Sequence, residues 1–182
     1  MNVVFIVDSS RSIESINPAR WQSLLNFIKN VGSKLTIGPD AVHVGLVRFS
    51  AIAREEFSIA DHIIDNLEYK KMVDQVVRDE DVETNIADGL RKADALFGKL
   101  GERPHVPRVA ILVTDGLVNK EVAATVPMAD ELRRQGIDII CVGVDVPGEN
   151  EIKILRRISS HNKVLTTSDY DKLFNLLQTC IA

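Results

Sequence analysis

Three short segments of this 182-residue chain carry oxygen donors of the kind a hard cation takes. Residues 8–12, Asp-Ser-Ser-Arg-Ser, offer one carboxylate and hydroxyls at alternate positions. Residues 83–85, Glu-Thr-Asn, add a threonine hydroxyl, and residues 114–116, Thr-Asp-Gly, add a second carboxylate. Brought together, Asp8, Ser10, Ser12, Thr84 and Asp115 form an all-oxygen set with two formal negative charges. Mg²⁺ suits such a set, because it wants about six oxygens in octahedral array and gives up its waters reluctantly. Mn²⁺ and Ca²⁺ accept the same donors. Hydroxyls are weak neutral ligands, so the ion stays electron-poor and favours an anion, such as a carboxylate, at an open position. Each segment alone has a simpler reading. The first is a polar turn, Thr84 is a helix cap and Asp115-Gly116 is a turn dipeptide.

A common site requires a fold that gathers the three segments, and the apolar pattern supplies one. Strand-length apolar runs at residues 3–7, 42–49, 52–57, 109–113, 137–144 and 163–165 alternate with stretches of helical periodicity. The helical stretches begin at Asn17-Pro18 and end near Gly32, then cover 63–77 as one or two short helices, 86–97, 123–135, 149–158 and 169–180. The link between the second and third runs is too short for a helical crossover, so that pair is expected to be an antiparallel hairpin. The expected fold class is therefore α/β: a doubly wound, Rossmann-like, mostly parallel six-stranded sheet with one antiparallel edge strand and helices on both faces. In such sheets ligands sit beyond the carboxyl ends of the strands, where Asp8 and Asp115 fall. No repeat, low-complexity tract or linker interrupts the pattern, and residues 1–182 read as one domain.

Four segments carry a family resemblance. Residues 3–13 (VVFIVDSSRSI) resemble the opening of von Willebrand factor type A domains, with their Asp-x-Ser-x-Ser signature. Residues 37–50 (IGPDAVHVGLVRFS) resemble the second-strand region of the extracellular-matrix members, such as matrilins and the A domains of collagen VI. Residues 84–90 (TNIADGL) resemble the family's threonine loop, and residues 109–116 (VAILVTDG) its aspartate strand. The resemblance spans essentially the whole chain. It implies a metal-ion-dependent adhesion site in which Ser10 and Ser12 bind the ion directly. Thr84 is direct or water-mediated according to state, and Asp8 and Asp115 act mainly through waters. The implied function is a non-enzymatic, secreted adhesion module of the extracellular matrix that holds a Glu or Asp carboxylate of a protein ligand, collagen being one candidate. Arg11, Glu83, Asn85, Leu117 and Asn119 are then expected around the metal face. Two departures stand out. Residues 78–83 (RDEDVE) replace the glycines the family often has before the threonine and read as a solvated charged loop. The stretch from 115 to 135 is too short for the extra helix of collagen-binding integrin domains.

Other classes fit less well. A net charge of −4 leaves no basic excess for nucleic acid or an anionic membrane. No apolar run reaches membrane-spanning length, and the first one meets Asp8 too early for a signal-peptide core, so any export signal is expected to lie outside these residues. A Mg²⁺-dependent phosphotransferase with Asp8 as nucleophile would need a second acid near it, where this chain has serines. Phosphate-loop, dinucleotide and serine-elbow motifs are absent. An intracellular scaffold built on the same kind of domain is a further alternative. Cys141, in an apolar run, reads as a buried thiol, and Cys180 is expected to pair with a cysteine upstream of Met1. The four histidines have no paired spacing.

Overall fold

The structure, a computed structural model, describes residues 1–15, 17–99, 103 and 105–181, with the side chains of all but residues 170, 180 and 181. Six strands form one sheet: β1 (Asn2–Asp8), β2 (His43–Phe49), β3 (Ala53–Phe57), β4 (Arg108–Thr114), β5 (Ile137–Gly143) and β6 (Val164–Thr166). Their spatial order is β3-β2-β1-β4-β5-β6, parallel throughout except where β3 runs antiparallel to β2. The expected hairpin and doubly wound sheet are both present.

Strand periodicity explains how the sheet holds a core on each face. Val3, Phe5 and Val7 of β1, with Val109, Ile111 and Val113 of β4, join one apolar cluster. It is covered by helices α1 (Arg20–Ser33), α2 (Asn66–Asp74) and α6 (Tyr170–Ile181). The intervening Val4, Ile6, Ala110 and Leu112 join a second cluster under α3 (Ile86–Gly98), α4 (Val122–Arg134) and α5 (Glu149–Ile158). Because successive side chains of a strand point to opposite faces, Asp8 and Thr114 continue the Val4-Ile6 and Ala110-Leu112 rows and belong to the α3 side.

Two boundaries differ from the sequence reading. Asn17-Pro18 makes a turn before α1 instead of its first residues: the Asn17 side-chain carbonyl accepts the Ala19 N–H at 2.9 Å and its backbone carbonyl accepts the Arg20 N–H at 3.0 Å. An asparagine side chain bonding two residues ahead builds such a turn as readily as a cap. The stretch 63–77 resolves into α2 alone, started by Asp65, whose Oδ1 accepts the N–H groups of Leu67 at 2.9 Å and Glu68 at 2.8 Å. Ile63 and Val76 are buried outside that helix, so their apolar character reflects loop packing. Cys141 is buried and free, and burial pushes its thiol pKa well up, as a structural thiol requires. The Cys180 side chain lies outside the described residues.

Candidate metal centre

β1 and β4 are adjacent, with Val7 opposite Val113, so the residues that follow each strand emerge side by side where the strand order reverses. Asp8 lies at this point, fully buried. Its Oδ2 accepts the Thr114 hydroxyl at 2.6 Å, and its Oδ1 accepts the Ser10 N–H at 2.9 Å and the Ser10 hydroxyl at 2.6 Å. Thr84 donates its hydroxyl to Ser10 Oγ at 3.1 Å, and Ser12 Oγ lies 3.0 Å from Ser10 Oγ. A hydroxyl has one proton and two lone pairs. With its proton given to Asp8, Ser10 accepts from both Thr84 and Ser12, and one oxygen becomes the hub of the cluster.

Asp115 follows β4 and is 3 % exposed. Its Oδ1 accepts the Leu117 N–H at 3.0 Å, closing a tight turn, and the next residue, Gly116, has φ of +80°. That left-handed backbone calls for glycine, and α5 presses on it, since a Cβ there would lie 3.1 Å from Glu151 Cβ. Burial first, and the nearby Asp115 charge second, raise the Asp8 pKa to about 7 despite the hydrogen bonds it accepts from Ser10 and Thr114. Two buried carboxylates pushing on one another, beside three hydroxyls, form the environment a divalent cation relieves. The donor set is all oxygen and suits a hard ion.

The loop that delivers Thr84 is more firmly held than residues 78–83 suggested. Asp79 is not solvated: its Oδ2 accepts the hydroxyls of Ser9 at 2.8 Å and Ser50 at 3.0 Å, and its Oδ1 accepts Arg48 Nη1 at 2.5 Å. Burial opposes ionisation of Asp79, but these bonds and the Arg48 charge outweigh it and hold the carboxyl below its usual range. Arg48 also pairs with Glu56 at 2.6 Å, and the Arg11 N–H reaches the Asp81 carbonyl at 2.8 Å. An alternating acidic run gave no sign of which carboxylate turned inward, because its partners Arg48 and Ser50 come from another strand end.

Asn119 fastens the far side of the loop, its Oδ1 accepting the Thr84 N–H at 2.8 Å and its Nδ2 donating to the Val82 carbonyl at 3.2 Å. Asn85 is 2 % exposed and caps α3, accepting the Asp88 N–H at 3.1 Å while donating to Glu121 at 2.6 Å. It is buried as the cap of α3, whereas it was expected among the residues around the metal face. Arg11 and Leu117 are exposed, and Glu83 is exposed and paired with Lys120 at 2.8 Å. Above the hydroxyls opens a cleft of about 300 Å³, lined by Ser12, Val82, Thr84, Leu117, Asn119 and Glu151. Thr114 and Glu151 had no role in the sequence reading. Strand alternation pairs Thr114 with Asp8 once β1 and β4 are neighbours, but Glu151 reaches the cleft only through the packing of α5 on Gly116.

Comparison with known proteins agrees with this architecture. Human collagen alpha-6(VI) chain is 33% identical over 144 residues, covering 79% of this chain and 6% of that protein. Human matrilin-1 is 28% identical over 166 residues, covering 87% of this chain and 31% of that protein. This chain thus spans only a small part of these relatives. Proximal thread matrix protein 1 from the mussel byssus, solved with a zinc-occupied metal-ion-dependent adhesion site, superposes with a TM-score of 0.77 at 29% identity, covering 99% of this chain and 44% of that one. The family model for the von Willebrand factor type A domain matches residues 2–179, and the chain belongs to that family.

Proposed function

We propose that residues 1–182 form one protein-binding domain that holds a divalent cation at Ser10, Ser12 and Thr84, with Asp8 and Asp115 engaged through water, and uses the ion to capture a partner's Glu or Asp carboxylate. The observation that carries this reading is the convergence of the Ser12 and Thr84 hydroxyls on Ser10 Oγ, itself bonded to buried Asp8 at the sheet's switch point. Mg²⁺ is our choice of ion, since the set has few charges and leaves room for retained waters; Mn²⁺ and Ca²⁺ use the same donors. Around the ion, Arg11, Glu83, Leu117 and Asn119 form the rim that meets the partner, with Asn85 supporting it. The relatives favour a secreted protein of the extracellular matrix with a matrix protein as partner, and collagen is one candidate. Net charge of −4 disfavours nucleic acid. Among the described residues no helix is long and apolar enough to cross a membrane.

A non-catalytic role is favoured over phosphoryl transfer because Asp8 is fully buried beneath Ser10 and Thr114, and serines stand at positions 10 and 12 where a second acid would be needed. An attacking nucleophile needs an oxygen free to approach phosphorus. Binding of the domain to immobilised matrix proteins, collagens included, tests the proposal with Mg²⁺, with EDTA, and with Asp115→Ala. Binding is expected to vanish with chelator and with the substitution. Binding indifferent to both would move the interaction surface elsewhere and leave the cluster structural.

A further inference from the structure

Among the described residues Glu151 is the one carboxylate that lines the cleft, and the proposed site leaves it without a task. It sits in the first turn of α5, half-buried, and lines the same cleft as Ser12 and Thr84. Its Cβ packs close against the Gly116 turn, where a Cβ on residue 116 would lie 3.1 Å away. Asp115 immediately precedes that glycine. Most other acidic groups near the cleft are spoken for: Asp8 by Ser10 and Thr114, Asp79 by Arg48, and Glu83 by Lys120. Glu151 faces no hydrogen-bond or ion-pair partner among the described residues, and one of its oxygens folds back beside Gly148, at the uncapped start of its own helix. A helix N-terminus holds a carboxylate weakly and reversibly.

We propose that Glu151 is a built-in third carboxylate of the metal cleft, which strengthens cation binding through a coordinated water and opposes the carboxylate that a partner brings. The inference rests on the site reading above and refines it toward partner choice. An anion at the rim adds to the attraction for a divalent cation and subtracts from that for an incoming anion, so its two effects have opposite sign. Partners that place a basic group beside their carboxylate, and so answer Glu151, are then preferred over partners with an isolated acid.

Glu151→Gln keeps the side chain's size and removes its charge. Calorimetric Mg²⁺ titration is compared for the wild type, E151Q, Ser12→Ala and Glu149→Gln, the last an exposed carboxylate of the same helical turn. Acetate binding to the Mg²⁺-saturated wild type, E151Q and Glu149→Gln proteins is then followed through the Leu117 and Asn119 amide resonances. In a partly solvated cleft, E151Q should weaken Mg²⁺ by about threefold to tenfold and tighten acetate by a smaller factor, because acetate carries half the charge. E149Q should change neither. If S12A loses Mg²⁺ binding while E151Q titrates as wild type, the site stands and this inference falls. Loss of both Mg²⁺ and acetate affinity in E151Q would make the residue a packing element of the Gly116 turn and overturn the opposition argued here. If S12A itself titrates as wild type, the site reading fails first and this inference with it.

Discussion

Asp8 carries the chemistry that is easiest to test in isolation. Its carboxyl is pushed from an ordinary 3.8 to about 7, by burial first and by the Asp115 charge second. A raised carboxyl pKa means that the fold prefers the neutral form, so without metal this group favours folding at low pH. The domain loses that contribution as pH rises from about 4 to about 7. A cation reverses the preference, because it binds the ionised form and displaces the proton. Mg²⁺ affinity should therefore climb between pH 5.5 and 7, by at most about tenfold per unit for one displaced proton, and level off above. Titrations across that range check it, and a flat profile would mean that Asp8 is already ionised without metal. Asp8, Ser10, Ser12, Thr84 and Asp115 were each legible because they follow apolar strands or open a helix, positions that a linear pattern marks. Thr114 became legible only through the pairing of β1 with β4. Glu151 stayed invisible because its place depends on how one helix packs against a turn.

At the scale of elements, what matters is how the loop bearing Thr84 is kept against the end of β1. Arg48 is the pin, paired with Glu56 at 2.6 Å and Asp79 at 2.5 Å, with its side chain 13% exposed. Arg48→Met keeps the aliphatic stem and leaves two carboxylates facing each other. Removing one partner of a largely buried pair should cost about 2–3 kcal/mol in chemical denaturation and loosen the loop. Loss of less than half that would make Asp79's bonds from Ser9 and Ser50 sufficient. Helix α3 constrains the same loop from its other end. A Cβ at Gly89 would lie 2.9 Å from Ile6 Cγ2 and 3.0 Å from Phe49 Cδ1, so the helix touches the sheet through bare backbone. Gly89→Ala gains about 1 kcal/mol of helix propensity yet must lift α3 away from the sheet. We expect net destabilisation of about 1–3 kcal/mol with weakened Mg²⁺ binding, since Thr84 lies just ahead of this helix. A variant as stable as wild type would show that Ile6 and Phe49 yield. Sequence periodicity located α3 well because its buried face repeats regularly. It misplaced the start of α1 because Asn17 serves a turn and a cap with the same hydrogen bond.

The whole molecule explains why one ion can report on the fold. The doubly wound order was readable from alternating strands and helices, since a continuous apolar strand must be covered twice and one short link must be a hairpin. Which two strand ends flank the switch point came only with the spatial order of the strands, and with it the meeting of residues 8–12 with residues 114–116. The unfolded chain, by contrast, scatters Asp8, Thr84 and Asp115 over more than 100 positions and holds no site. Binding that exists only in the folded state stabilises it by mass action, about 2.7 kcal/mol when free Mg²⁺ stands at 100 times Kd. For a domain of this length that corresponds to a rise in Tm of about 5–10 °C. The rise should continue with the logarithm of Mg²⁺ concentration, vanish with EDTA and be absent from Asp115→Ala. Because Asp115 and Asp8 repel in the empty site, that variant should also melt at or above the metal-free wild type. A variant melting far below it would mean that the Asp115 turn, through its bond to Leu117, holds the β4 end together more than its charge strains it, and the carboxylate would count as structural before it counted as a ligand.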